Sequence, residues 1–167
     1  MPIREATAED YAGILRIYNQ SVLAGGVTGD EKTLSLDERR PWLALHDGRH
    51  YCLFVAEEAG SILGYLALSP YRHGRSAFYN TAEISYYIAA DSRRQGLASQ
   101  LMTHALKACS SLEIHSLIAI LLAGNDASIR LLEKHGFREW GRMPRIGRLQ
   151  SGIVDHLYYG RHVGEPD

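Results

Sequence analysis

The chain has 167 residues, enough for one domain with its own core and short for two. Hydrophobic residues make up 46% and charged residues 22%, a globular balance that excludes a disordered chain. A formal charge of −1 lacks the basic excess of a general nucleic-acid or membrane-surface binder, and no apolar stretch reaches bilayer length.

Ile3 and Arg4 begin a short strand. Thr7, followed three residues later by Asp10, is a capping box, and Tyr11, Ile14, Leu15, Tyr18 and Val22 carry a first helix to about Ala24. Residues 25–30, Gly-Gly-Val-Thr-Gly-Asp, are a breaker-rich loop that either lines a ligand site or only connects. Ser35 and Glu38 form a second capping box, opening a shorter helix through Trp42 and Leu43. Pro41 inside it predicts a kink or an early end. His46 and His50 are four apart, but Gly48 lies between them and no third ligand is evident, so both are predicted on the surface with no metal.

Residues 51–56 and 61–69 read as strands joined by a turn over 57–60, and 70–80 as a polar loop carrying Arg72, His73 and Arg75. Cys52 and Cys109 are far apart and form no C-x-x-C pair. Two buried free thiols in a reducing compartment are predicted, and the lack of a signal-type apolar segment agrees with a cytoplasmic location.

Residues 81–90 are the longest strand candidate. They run into Arg93-Arg94-Gln95-Gly96-Leu97-Ala98, after which Leu97, Leu101, Met102, Ala105 and Leu106 recur on one face of a helix. Gly96 and Ala98 let a ligand approach the main chain, and the first N–H groups of a helix are unpaired at the positive end of its dipole. With two arginines beside it, this turn is an anion cradle fit for a phosphate or pyrophosphate. It is neither a P-loop nor a dinucleotide fingerprint, since Gly-x-x-x-x-Gly-Lys-Ser/Thr and Gly-x-Gly-x-x-Gly are both absent.

Residues 115–123 are a further strand, 125–135 a helix closed by Gly136, and 137–141 and 153–159 the last strands. A helix between parallel strands requires a right-handed crossover. Arg138, Arg142, Arg145 and Arg148, interrupted by Gly and Pro, predict a solvated edge or a dimer surface. The chain reads as one α/β domain over 1–163 with a tail at 164–167, in the order β-α-α-β-β-β-α-β-α-β-β.

The pattern Arg-x-x-Gly-x-Ala resembles the acetyl-CoA loop of the GNAT N-acetyltransferases. With it go Ile17-Tyr18-Asn19, Ser35 to Arg39 with Trp42, Gly64 to Ser69, Glu83 with Tyr87, Asn125 with Ser128, and Leu131 to Phe137. Together they are similar to the phosphinothricin (or methionine sulfoximine) acetyltransferase branch over nearly the whole chain. The resemblance implies a strongly twisted mixed sheet flanked by helices, with the fourth and fifth strands splayed apart. It implies acetyl-CoA as cosubstrate, held by Tyr86, Tyr87 and Ile88 through main chain, by the 93–98 loop, and by Asn125. It also implies a homodimer.

Transfer to an amine needs a proton acceptor and a donor for the thioester oxygen. Glu83, on the strand that enters the cradle, is the base candidate, and a backbone N–H near Tyr87 or Ile88 the oxygen's donor. Many GNAT enzymes carry a tyrosine where this chain has Leu132, so a proton for the departing sulfur comes from Tyr87, Tyr79, His135 or solvent, or none is required. Arg72, Arg75, Tyr79 and Thr81 precede the catalytic strand and are candidates for binding a substrate carboxylate, or else a solvated loop. The segment before Asp155 departs from the branch, which puts phosphinothricin itself in doubt as the acceptor. Three readings follow: direct acetyl transfer to the amine of a small amino-acid-like molecule, transfer to a protein or peptide, or a catalytically silent CoA-binding module.

Overall fold

In a computed structural model the structure describes residues 2–164, so the expected tail at 164–167 lies outside it apart from Gly164. The chain runs through β1 (Ile3–Glu5), α1 (Tyr11–Ala24), α2 (Leu36–Leu43), β2 (Leu53–Glu58), β3 (Ser61–Pro70) and β4 (Thr81–Ile88). It continues with α3 (Leu97–Ala108), β5 (Ser116–Leu122), α4 (Asp126–Lys134), β6 (Arg138–Leu149) and β7 (Gly152–His162). This is the element order expected from the sequence.

Both capping boxes form: Asp10 accepts from the Thr7 N–H at 2.7 Å, and Glu38 from the Ser35 N–H at 2.7 Å. The seven strands lie in the order β1-β2-β3-β4-β5-β7-β6. Every neighbouring pair is antiparallel except β4 and β5, which are parallel and joined through α3. Side chains alternate across the sheet, so β3 sends Leu66 and Leu68 to one layer and Tyr65 and Ala67 to the other. The first layer packs under Leu97, Leu101, Met102 and Ala105 of α3 and Leu132 of α4, and the second under Ile14, Ile17 and Tyr18 of α1. Cys52 and Cys109 are free thiols buried in the first layer.

Helix α2 passes Pro41 and ends at Leu43, as read from the sequence. The ends of three strands differ from that reading. Strand β4 stops at Ile88, where Ala90–Ser92 tighten into a 3-10 turn that swings the chain toward α3. Strands β6 and β7 are much longer than the expected 137–141 and 153–159. β6 is an edge strand with register shifts between Glu139 and Gly141 and between Met143 and Gly147, so its Gly and Pro interrupt no central ladder. The four arginines on it are exposed or half-exposed, as a solvated edge requires.

Leu101 is fully buried where α3 meets β3 and β4. Leu101→Ala is expected to lower stability by about 2–5 kcal/mol through lost burial and a residual cavity. Urea unfolding reads this as a fall in midpoint at unchanged slope.

Candidate active site

Strands β4 and β5 pair only from Thr81–Ser116 to Glu83–Ile118, and then part. Glu83 is therefore the last rung before a fork. On its other side β4 remains paired to β3 up to Gly64–Ile88. The bonds from Ala89 N to Leu63 O (2.8 Å) and from Tyr71 N to Thr81 O (3.4 Å) show that odd-numbered residues of β4 exchange backbone bonds with β3. Tyr86 and Ile88 consequently aim their main-chain N–H and C=O into the fork, past the point where β5 pairs with β4.

The fork opens into a cleft of about 540 Å³. Tyr86, Tyr87 and Ile88 line it from β4, Ala119 to Leu121 from β5, Asn125 and Ser128 from the start of α4, and Arg93, Arg94, Gly96, Leu97 and Ala98 from the turn into α3. Gln95 belongs to the same turn but is exposed outside the cleft lining. Gly96 is the N-cap of α3 with φ 77°, and Arg94 also sits in the left-handed region at φ 62°. A side chain at Gly96 would be strained in that conformation, although only Gln100 Nε2 lies within 4 Å of where its Cβ would stand. The arrangement suits a ligand that is anionic at one end and extended enough to add hydrogen bonds to a strand edge.

Asn125 caps α4, its Oδ1 accepting from the Ser128 N–H at 3.3 Å. The Tyr86 and Ser128 hydroxyls lie 2.6 Å apart inside the cleft, and burial pushes the Tyr86 phenol up to about 12. Leu132 is buried in the cleft wall and brings no hydroxyl there. Sequence reasoning gave Tyr86 only a main-chain role and missed this hydroxyl pair, which depends on α4 folding back over β4.

On the opposite face Glu83, Ser85 and Tyr87 alternate toward α1. The Tyr87 ring packs edge-on to Tyr18 at 5.2 Å and tilted against Tyr65 at 5.5 Å. Glu83 is half-buried, and desolvation holds its carboxyl above the ordinary value. A carboxyl raised in this way is a stronger proton acceptor than an ordinary one.

Other sequence candidates fall away from the cleft. Arg72 and Arg75 are exposed in the β3–β4 loop, and Thr81 begins β4 opposite Ser116. Tyr79 stacks on His50 at 4.0 Å, and its carbonyl accepts from His50 Nε2 at 2.7 Å and Tyr51 Oη at 2.9 Å. His135 bonds Ser99 Oγ at 2.8 Å, while burial and then Lys134 lower its affinity for a proton. The expectation that His46 and His50 lie on the surface is overturned. His50 is 7% exposed under Tyr79, and His46 is largely enclosed beside Trp42 and Ser69, because the loop after α2 folds back onto β3.

A parallel pair that splits at one rung, with a glycine-capped helix at its mouth, is the geometry implied by the resemblance. Residues 12–137 match the family described as Acetyltransferase (GNAT) family. The chain belongs to that family. Among its relatives is a phosphinothricin N-acetyltransferase of Streptomyces coelicolor, 34% identical over 95% of this chain and 94% of the relative. An L-methionine sulfoximine/L-methionine sulfone acetyltransferase of Pseudomonas aeruginosa is 33% identical over 92% and 89%. A phosphinothricin acetyltransferase from Sinorhizobium meliloti, solved in complex with acetyl-CoA, superposes with a TM-score of 0.91 at 30% identity, covering 98% of this chain and 89% of that one. This GNAT chain is thus an N-acetyltransferase by family, and its fork lies in a fold already seen holding acetyl-CoA.

Gly96→Val is expected to weaken CoA binding by about tenfold or more, by straining the left-handed turn that presents the helix terminus. Isothermal titration with CoA measures this, with an unchanged circular dichroism spectrum as the control.

Proposed function

We propose that the protein transfers the acetyl group of acetyl-CoA directly to the primary amine of a small amino-acid-like acceptor. The observation that carries the reading is Glu83 at the fork: a raised carboxyl on the last paired rung, one residue before Ile84 begins the β4 lining of a cleft that reaches the N-terminus of α3. The two cosubstrates then meet from opposite faces of the sheet. Acetyl-CoA supplies an activated thioester. Arg93, Arg94 and the amides from Gly96 onward hold its diphosphate, and the Tyr86 and Ile88 main chain holds its pantetheine arm. Asn125 adds an amide group at the start of α4.

Glu83, directly or through a water, accepts the proton that makes the acceptor nitrogen nucleophilic. A main-chain N–H of β4 that faces the fork is the donor for the developing oxyanion, since the Tyr87 N–H is spent on β3. No cysteine or serine nucleophile is needed. Cys52 and Cys109 are buried, and burial pushes both thiols up to about 11, so neither serves as an acyl carrier. The small acceptor is supported by the relatives named for phosphinothricin and methionine sulfoximine.

The same reading includes a cytoplasmic homodimer. Its support is the exposed Trp140, Met143, Ile146 and Ile153 on the β6–β7 hairpin, and light scattering at twice 18.6 kDa is the expected result.

Acetyl-CoA consumption over a panel of amino acids and their analogues tests the activity, and turnover on at least one is expected. Turnover on peptides alone, or on nothing, contradicts the proposed acceptor. Glu83→Gln is expected to lower kcat by about 10²-fold or more and to remove the acidic limb of kcat/KM against pH. Because burial raises the Glu83 pKa, its ionised form opposes folding above that pKa, so the Gln variant is expected to keep or gain thermal stability at neutral pH.

A further inference from the structure

Lys134 lines the cleft but has no part in the reaction proposed above. The side chains around that cleft include three cations, Arg93, Arg94 and Lys134, and no carboxylate. Arg93 and Arg94 lead into the N-terminus of α3, whereas Lys134 is the last residue of α4 and exposed at the rim. Among the described residues no carboxylate forms an ion pair with any of the three.

Two contacts bring Lys134 to the head of α3. Ser99 is the third residue of that helix, and its hydroxyl lies 2.8 Å from Nε2 of His135, the neighbour of Lys134. The end of α4 is thereby fastened beside the first turn of α3, whose N–H groups have no partner within the helix. The stripe of α4 that lines the cleft runs Ala127, Ser128, Leu131 and Leu132 before it reaches Lys134. It is uncharged along its length and ends in an ammonium. Positive potential extends from there toward Ser99, since after burial it is Lys134 and then Arg161 that lower the affinity of His135 for a proton. The Arg161 guanidinium is committed elsewhere, donating to the His135 carbonyl.

We propose that Lys134 receives the 3′-phosphate of CoA and so distinguishes CoA from the same molecule lacking that group. This rests on the reading of the turn before α3 as the seat of the diphosphate. CoA carries its diphosphate and its 3′-phosphate on one ribose. With the first held by Arg93, Arg94 and the amides from Gly96 onward, the second stands within a ribose's width of the same turn. Lys134 is the cation that α4 brings to that place. A phosphomonoester carries about −1.5 to −2 charges at neutral pH, and a lysine meets it as a mobile point charge with three donors. A lysine in the last turn of a helix also complements the helix dipole, but that role is indifferent to which ligand is bound.

Isothermal titration at low salt with CoA and with 3′-dephospho-CoA tests this. The unaltered protein is expected to bind CoA about tenfold more tightly than dephospho-CoA. Lys134→Gln should bring CoA down to the level of dephospho-CoA and leave dephospho-CoA within about twofold of its original affinity. Lys134→Arg should keep most of the preference. Arg138→Gln should keep all of it, since Arg138 lines the adjoining hollow with Trp140 and Arg161 rather than the cleft. No preference in the unaltered protein, a preference that survives Lys134→Gln, or equal weakening of both ligands by that variant overturns the proposal. Loss of the preference in Arg138→Gln instead overturns it too. If both ligands bind alike, the role of Lys134 falls and the diphosphate site stands; if neither gives heat, the CoA reading falls and takes Lys134 with it. Competition against bound CoA needs no variant: adenosine 3′,5′-bisphosphate should displace it better than adenosine 5′-phosphate, and equal displacement overturns the proposal.

Discussion

The structure depends on a hydrogen-bond ladder that stops. Up to Glu83 the parallel strands β4 and β5 satisfy one another, and beyond it they diverge, so Tyr86 and Ile88 present main-chain donors and acceptors to an open cleft. Unpaired strand edges inside a sheet are costly when buried and invite addition of an extended partner when open to a ligand. The fork survives because β4 keeps its full ladder to β3, and because α3 and α4 pack beneath it through Leu97, Leu101 and Leu132. Stability on three sides permits vacancy on the fourth.

The alternation of a strand then divides the chemistry. Even-numbered residues of β4 face the layer of α3 and α4, where the Tyr86–Ser128 hydroxyl pair and the helix terminus lie. Odd-numbered residues face α1 and α2, where Glu83, Ser69 and His46 are gathered beside an aromatic cluster of Tyr18, Trp42, Tyr65 and Tyr87. In the proposed reaction a thioester enters by one layer and an amine by the other, and they meet at the fork. The missing tyrosine at Leu132 is consistent with this division. A thiol is acidic enough to leave as thiolate near neutral pH without an acid at position 132.

What could be read from the sequence was whatever the chain decides locally. The capping boxes at Thr7 and Ser35, the left-handed Gly96 at the head of α3 and Gly136 at the tail of α4 are each set by a few neighbouring residues. The position of Glu83 relative to the loop was legible for the same reason. The place of His46 was not, because it depends on a contact across 23 residues with Ser69 and on the register that sets Ser69 opposite Glu83. Arg72 and Arg75 were candidate substrate ligands on proximity in sequence alone, and both are exposed in the β3–β4 loop. The Gly and Pro of β6 read as strand breakers by a rule for central strands, which an edge strand escapes through bulges.

The grip of the fork on CoA is tested most directly by titrating nitrogen-15-labelled protein with CoA and following its backbone amides. Large shifts at the amides from Gly96 to Ser99, at Tyr86 and at Ile88, with those of β1 and β6 unmoved, are the expected result. Saturating CoA that leaves the Gly96, Tyr86 and Ile88 amides where they began would contradict it.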